Sequence, residues 1–310
     1  MPFWGDFLRA IHELLNQMWW GLLMGILALT LLRHVPRELV VGLLGRSGGL
    51  AGILRATAAG LLLDLCNHGI LLVAAKLYER GASLGQTFAF LIASPWNSLS
   101  TTLVLWALLG WQWTMVVVLL SAAVAIVTGC LVEVLVAKGK VAPHPHRVAL
   151  PEDFHWARAA RAAFRQIRPS WRGAGRALWE GCQESRMILR WLFLGAILAA
   201  ALRGGWSAES YQTWLGPSLL GLGLTLVAAT LIEVCSEGSS PLAADLFHRA
   251  QAPGNGFTFL MAGAATDYTE LMVLREATGR WRLALLLPLL TVPQVLVLAW
   301  VLNQLPSVSS

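Results

Sequence analysis

The sequence predicts an all-α, polytopic membrane protein of about eight transmembrane helices, built from two repeats with broken helices at the midplane. Three observations predict it. Of 310 residues, 56% are hydrophobic and only 13% are charged, about half the charged fraction of a soluble domain. Apolar segments long enough to cross a bilayer recur along the chain, and helices satisfy their backbone there. The chain also matches itself at a shift of 169 residues. This composition excludes an ordinary cytosolic enzyme, a disordered chain and a nucleic-acid-binding module.

Eight apolar segments are predicted to cross the membrane, after a short interfacial helix over residues 3–16. Two of them, 50–79 and 217–249, exceed the roughly 20 residues that a crossing needs. Each carries a polar cluster near its middle, so each is either a broken helix or a re-entrant hairpin, and the number of crossings depends on which. The segments are Met18–Leu32, Leu50–Glu79, Leu84–Leu109, Trp111–Val136, Met187–Leu202, Pro217–Arg249, Gly254–Ala277 and Leu283–Leu302.

A polar segment, 137–186, divides the chain into a first transmembrane repeat, 1–136, and a second, 187–310. It carries ten Lys and Arg residues against four Asp and Glu residues, which predicts a cytoplasmic location. Within it, residues 154–168 follow a basic amphipathic pattern that suits contact with anionic lipid.

The two halves share a sequence pattern. Between 66–110 and 235–279, fourteen of 45 positions are identical. Such duplication is typical of secondary transporters, whose site lies between the halves at the midplane. An even number of crossings per half makes the halves parallel and an odd number makes them inverted, and the sequence leaves both open. The identities that apolar bias does not explain include Cys66/Cys235, Gly69/Gly238, Arg80/Arg249 and Gly110/Gly279.

Four polar clusters interrupt the apolar sequence, two in each half, at 64–69, 94–98, 233–241 and 263–270. Their Gly, Ser, Asn, Thr, Asp and Pro residues are those that end one helix and begin another. Ser240 and Pro241, for example, fit a cap followed by the first residue of a helix. Helix N-termini are therefore expected to meet at mid-membrane, where their free N–H groups favour an anionic or strongly polar solute.

These clusters supply the candidate site residues. Ionisable groups inside a membrane are costly, which makes the acidic ones candidates for proton coupling; the alternative is that they cap helices or pair with arginine. The cysteines either contact the solute through their soft thiols or are small buried hydrophobes. No metal-site motif is present, and neither a metal nor a cofactor is expected. The predicted substrate-binding residues are Cys66, Asn67, His68, Asn97, Ser98, Cys235, Ser236, Glu237, Thr266 and Asp267. The proton-coupling candidates are Glu237, Asp267, Asp64 and Glu233.

Six stretches in the two halves carry a family resemblance: Leu65–Gly69, Ala74–Ser83, Phe88–Pro95, Cys235–Ala244, Ala252–Gly254 and Phe259–Thr266. They resemble the ArsP-like predicted permease family. The family's members are multi-span proteins of the bacterial inner membrane, and some export arsenicals, so the resemblance implies a multi-pass permease of that membrane. His68 stands where members often carry a second cysteine, a departure that supports permease better than arsenical efflux.

The favoured function is therefore a secondary-active exporter of a small polar, anionic or metalloid solute, with the lipid bilayer and that solute as its partners. Two alternatives stay open. One is a membrane-embedded enzyme that uses Cys66, His68, Glu237 and Asp267, although a site built twice is unusual for an enzyme. The other is a channel-like subunit of a membrane complex. The sequence fixes neither the coupling ion nor the oligomeric state.

Overall fold

The computed structural model describes residue 12 and residues 49–62, 67–93, 99–141, 214–231, 236–248 and 250–304. Within these ranges every regular element is a helix, in agreement with the predicted all-α class. The predicted interfacial helix apart from residue 12, the crossings at 18–32 and 187–202, and the basic segment beyond residue 141 lie outside the described residues. The three-part division of the chain and the lipid contact by 154–168 therefore stay predictions.

Ten helices account for almost all of the described residues. In chain order they are α1 (Leu50–Leu62), α2 (Asn67–Glu79), α3 (Leu84–Ala93), α4 (Leu99–Ala137), α5 (Leu219–Leu231), α6 (Ser236–His248), α7 (Pro253–Thr266), α8 (Tyr268–Thr278), α9 (Trp281–Ala284) and α10 (Leu286–Gln304).

Two stretches are long and apolar enough to cross a membrane by themselves. They are Leu105–Ala137 in α4, with 33 residues, and Trp281–Gln304, which joins α9 and α10 over 24 residues. Their outward faces carry large apolar side chains such as Leu119 and Leu289, which are 62% and 69% exposed. Such faces suit contact with lipid. α4 bends at Gly110, whose φ of 81° and ψ of 163° interrupt the helical backbone.

The short helices begin and end at local signals in the sequence. The Ser83 hydroxyl accepts a hydrogen bond from the Gln86 N–H at 3.1 Å, and the Gln86 side chain accepts one from the Ser83 N–H at 2.9 Å. This capping box starts α3. Pro253 occupies the first turn of α7, where its missing N–H costs nothing. Gly279 ends α8 in the left-handed region, with φ at 69°.

In the second half, α5 and α7 run in the same direction. Near their starts, the Asn255 amide donates to the carbonyls of Leu215 and Gly216 at 2.8 and 2.7 Å. Near their ends, the hydroxyls of Thr230 and Thr266 lie 2.7 Å apart. The two helices therefore lie alongside each other from end to end.

The helix between them, α6, runs in the opposite direction. Its last turn lies against the start of α7, because a Cβ on Gly256 would collide with the ring of Phe247. The Ala252 N–H also donates to the Leu246 carbonyl at 3.0 Å across the turn that joins the two helices. Both ends of the 217–249 segment consequently lie beside the same turn of α7.

The first half has the same arrangement. Ile53 of α1 and Ala89 of α3 both lie against Gly129 of α4, and a Cβ on Gly60 would lie 3.2 Å from that of Ala93. α1 and α3 are therefore parallel. α2 packs against α3 and joins it through a tight turn at Gly81, whose φ is 106°, so it runs antiparallel to both.

Each half closes with a longer helix that packs against its third helix. The Ser83 hydroxyl donates to the Glu133 carboxylate of α4. In the second half, the Gly254 N–H donates to the Asn303 side chain of α10 at 2.8 Å, and Asn303 donates to Asn255 at 2.9 Å. α3 therefore starts beside the last turns of α4, and α7 starts beside the last turns of α10.

The halves also contact each other. α6 packs against α4, α2 packs against α8, and α4 packs against α10. The Gln294 amide of α10 donates to the Thr128 hydroxyl of α4 at 2.9 Å. One short helix of each half thus packs against the other half.

Candidate substrate site

Four helices begin at the interruptions that the sequence predicts. α2 starts at Asn67 and α4 at Leu99; α6 starts at Ser236 and α8 at Tyr268. The second pair follows the first by 236 − 67 = 169 and 268 − 99 = 169 residues. Residues 63–66, 94–98 and 232–235, which lie at three of these interruptions, are outside the described residues.

The described interruption is the one at 263–270, and it is a break between two helices as predicted. α7 ends at Thr266, and Asp267 takes an extended conformation with φ −52° and ψ 128°. The Asp267 carboxylate accepts a hydrogen bond from the Thr269 N–H at 2.8 Å. Asp267 is therefore the N-cap of α8, and its side chain is almost completely buried. A carboxylate at this position also interacts favourably with the helix dipole.

One expected helix start is wrong. Ser240 and Pro241 do not open a helix, because α6 begins four residues earlier, at Ser236. Pro241 instead lies in the second turn of α6, where it has no N–H to donate to the carbonyl of residue 237. The start of α6 therefore keeps a backbone oxygen that an ordinary helix would use.

The hydroxyls of Thr266 and Thr230 form the polar contact between α7 and α5. Thr266 lies 2.7 Å from its own Ala262 carbonyl, Thr230 lies 2.9 Å from its Leu226 carbonyl, and the two hydroxyls lie 2.7 Å apart. Two hydroxyl hydrogens cannot serve three such contacts at once. Each hydroxyl oxygen also has two lone pairs, of which the contact between them uses at most one. The pair can therefore accept from a hydrogen-bond donor, and both side chains are only half-buried.

Glu270, a second acid of this interruption, lies in the first turn of α8 and is 1% exposed. Three of its neighbours in the chain, Asp267, Thr269 and Val273, are also buried. Two carboxylates thus lie within one turn at the N-terminus of α8, inside the protein rather than on its surface.

The other predicted site residues are described only in part. Asn67, His68, Ser236 and Glu237 are the first residues of α2 and α6, and their backbone is helical. Asp64, Cys66, Asn97, Ser98, Glu233 and Cys235 lie outside the described residues. The structure therefore brings Thr266 together with Thr230, with Asp267 next to Thr266 in the chain, while the grouping of the remaining residues stays a prediction. Among the described residues, no three His, Cys, Asp or Glu side chains are grouped closely enough to hold a metal ion.

Four polar residues that take part in these contacts are not among the predicted site residues, and of the four only Asn255 is fully buried. Thr230 precedes the 233–241 cluster by one turn, and Asn255 and Asn303 lie in otherwise apolar helices. Glu133 is the single acidic residue of the Leu105–Ala137 stretch. A polar side chain inside an apolar helix is the signal that would have found the last three.

Comparison with known protein families identifies the kind of protein. A family model described as a predicted permease, ArsP_1, matches residues 4–304, which is nearly the whole chain. The chain belongs to this permease family. No curated protein and no solved structure is significantly similar to it. The match covers both halves and the segment between them. Membership of a permease family implies that the protein transports a small solute and contacts the lipid bilayer.

Proposed function

We propose that this permease is a secondary-active transporter that exports a small polar, anionic or metalloid solute through a site at mid-depth, between two repeated halves. The observation that carries the proposal is the coincidence of the four polar clusters with four helix starts, at residues 67, 99, 236 and 268. A membrane tolerates irregular backbone only where it is buried in protein or lines a cavity.

The helix boundaries support the repeat. α1 and α5 cover 50–62 and 219–231, and α2 and α6 cover 67–79 and 236–248. Each pair differs by 169 residues at both ends, the shift at which the sequence matches itself. Gly110 and Gly279, also 169 apart, both have a φ in the left-handed region.

The solute is proposed to contact the residues around the helix starts, with Thr230 added to them. Helix N-termini at Asn67 and Ser236 present N–H groups to an oxyanion or to another strongly polar group. The Thr230 and Thr266 hydroxyls supply acceptors for a donor on the same solute. A small solute with both kinds of group, such as a partly protonated oxyacid, fits this combination.

Proton coupling is proposed for the acids of the second half, Glu237 and Asp267, with Asp64 and Glu233 as further candidates. Asp267 is almost completely buried at the N-terminus of a helix. Exchange of a proton at this depth changes the charge that the solute meets. It thereby links transport to a pH gradient.

Reconstitution into liposomes tests the function. Purified permease is placed in liposomes that carry a pH gradient, with arsenite, phosphate and a carboxylate as separate radiolabelled probes. We expect at least one probe to accumulate, and a protonophore to abolish that accumulation. An accumulation that persists with the protonophore would contradict proton coupling. Chemical conversion of a probe, without accumulation, would favour the enzyme alternative.

A further inference from the structure

We infer that the two halves lie in the membrane with opposite orientations, and that 50–79 and 217–249 are re-entrant helical hairpins rather than crossings. This inference deepens the proposed function, because it determines how the site is built and reached. It rests on contacts that have nothing to do with any solute.

The hairpins follow from where the ends of each segment lie. Asn255 holds the start of the second segment through Leu215 and Gly216, and the adjacent Gly256 contacts Phe247 at the segment's end. Both ends therefore meet neighbouring residues of α7. A single broken crossing of α5 and α6, with 13 residues each, would separate those ends by about 40 Å. The segment therefore enters and leaves on one side.

The short helices also lack the length to cross by themselves. Thirteen residues of α5 extend about 20 Å, against a hydrocarbon core of about 30 Å. Each hairpin thus reaches the interior of the membrane and turns back there. α7 and α8 differ from the hairpin helices, because together they run antiparallel to the 24-residue stretch 281–304 and so complete one crossing.

The orientation of the two halves follows from the positions along the long helix α4 that the starts of α3 and α7 contact. The start of α3 lies against its last turns, where Gly85 approaches Gly129 and Glu133. The start of α7 lies at the other end of the straight part of α4 that follows the bend at Gly110, because Phe247, which packs on Gly256, also meets Trp113 edge to face at 5.3 Å. Gly129 and Trp113 are 129 − 113 = 16 residues apart, or about 24 Å along the helix. Equivalent parts of the two halves therefore lie at opposite ends of one membrane-spanning helix.

A second contact repeats this result. The His248 ring nitrogen lies 2.9 Å from the Leu108 carbonyl, so the end of α6 meets the bend of α4 at Gly110. At the opposite end, α2 packs against α8, and Arg280 lies close enough to Tyr78 to act on its hydroxyl electrostatically. The second short helix of each half thus contacts the other half, and the two contacts lie at opposite ends of the molecule. A two-fold axis in the membrane plane requires this arrangement.

The distribution of charge agrees independently. Opposite orientations bring the turns after α2 and after α8 to the side of the basic segment 137–186. Those turns carry Arg80, and Arg280 with Arg282. On the other side, the bend at residues 110–112 carries no Lys or Arg, and residues 249–252, between α6 and α7, carry Arg249. Parallel halves would place Arg280 and Arg282 on that other side and Arg249 on the side of the basic segment, so these turns would carry two basic residues on each side instead of three against one.

Single cysteines labelled in intact cells test the inference without any transport assay. Four exposed positions are used: Gln251→Cys and Arg282→Cys as probes, and Gln112→Cys and Lys140→Cys as references for the two sides. Each is added to the otherwise unchanged chain, and its reaction with an impermeant maleimide is measured above that of the parent, before and after the membrane is opened.

Opposite orientations predict that Gln251→Cys labels in the same state as Gln112→Cys, and Arg282→Cys in the same state as Lys140→Cys. Parallel halves predict the reverse pairing, which would overturn the inference, as would any result in which both probes follow one reference. The pairing does not depend on which side is cytoplasmic. A permease that transports nothing would still give it, so the two proposals fail separately.

Discussion

At the scale of single residues, Asp267 is a predicted site residue whose conformation, burial and hydrogen bonding are all described. It closes the break between α7 and α8, it is nearly inaccessible, and it accepts the Thr269 N–H. Its residue type and place were readable from the sequence, since Asp in a polar cluster between two apolar runs is typical of an N-cap. Thr230, whose hydroxyl contacts that of Thr266, the residue before Asp267, was not readable, because a lone threonine at the end of an apolar helix differs in no way from those that bond only to their own helix.

Replacement of Asp267 separates capping from proton exchange. Asn caps helices as well as Asp does, so Asp267→Asn should leave expression and thermal stability close to those of the parent. It cannot release a proton, and transport driven by a pH gradient should fall to background. Solute exchange across liposomes without a gradient should continue, as it should for Glu237→Gln.

Asp267→Ala is the matched control for the cap and should lose about 1 kcal/mol of stability. Gradient-driven transport by Asp267→Asn at the parental rate would assign Asp267 to the fold alone.

At the scale of helices, local chemistry determined where each element begins, and distant contacts determined its direction. Polar clusters predicted interruptions at 64–69, 94–98, 233–241 and 263–270, and helices begin within or directly after them at residues 67, 99, 236 and 268. The start at Ser236 lies four residues before the one expected at Ser240. The direction of α5 depends on Asn255 binding carbonyls 40 and 39 residues away, and no local pattern encodes that. Neither the hydrophobic pattern nor the segment length distinguishes a broken helix from a hairpin, which is why the crossing count stayed open.

Close packing between helices predicts a sharp difference between two glycines. A Cβ on Gly254 would collide with the Ala299 carbonyl of α10, whereas a Cβ on Gly223 of α5 meets nothing within 4 Å. Gly254→Ala should therefore push α7 away from α10 and destabilise the protein by about 1–3 kcal/mol. Gly223→Ala should be neutral or should stabilise α5 by up to about 1 kcal/mol, because Ala is the better helix former. Thermal unfolding in detergent measures both, and equal melting temperatures would show that α7 and α10 are not packed this closely.

At the scale of the whole molecule, the largest contacts between the described parts of the two halves form three sets. One lies near the bend of α4 at Gly110, where Phe247 meets Trp113. One lies at the opposite end, where α2 packs on α8. The third joins α4 to α10 through Thr128 and Gln294. The site proposed between the two ends is expected to open to one side when the contact there separates, with the central contact as the pivot. Because the halves exchange equivalent helices, the two end contacts are expected to act as opposed gates.

This arrangement predicts opposite effects for two aromatic substitutions. An edge-to-face aromatic pair contributes about 0.5–1.5 kcal/mol beyond its buried area, so its loss should shift a two-state equilibrium about two- to tenfold. With Thr266→Cys as a reporter in the site, Phe247→Ala should raise the labelling rate from the side of residue 112. Tyr78→Ala, at the equivalent end contact, should lower that labelling rate, because it favours opening towards residue 140.

Trp300→Ala, a half-exposed aromatic on α10, is the control and should leave the rate unchanged. Impermeant maleimide in intact cells measures all three, and a change in the same direction for Phe247→Ala and Tyr78→Ala would show that the two end contacts do not open alternately.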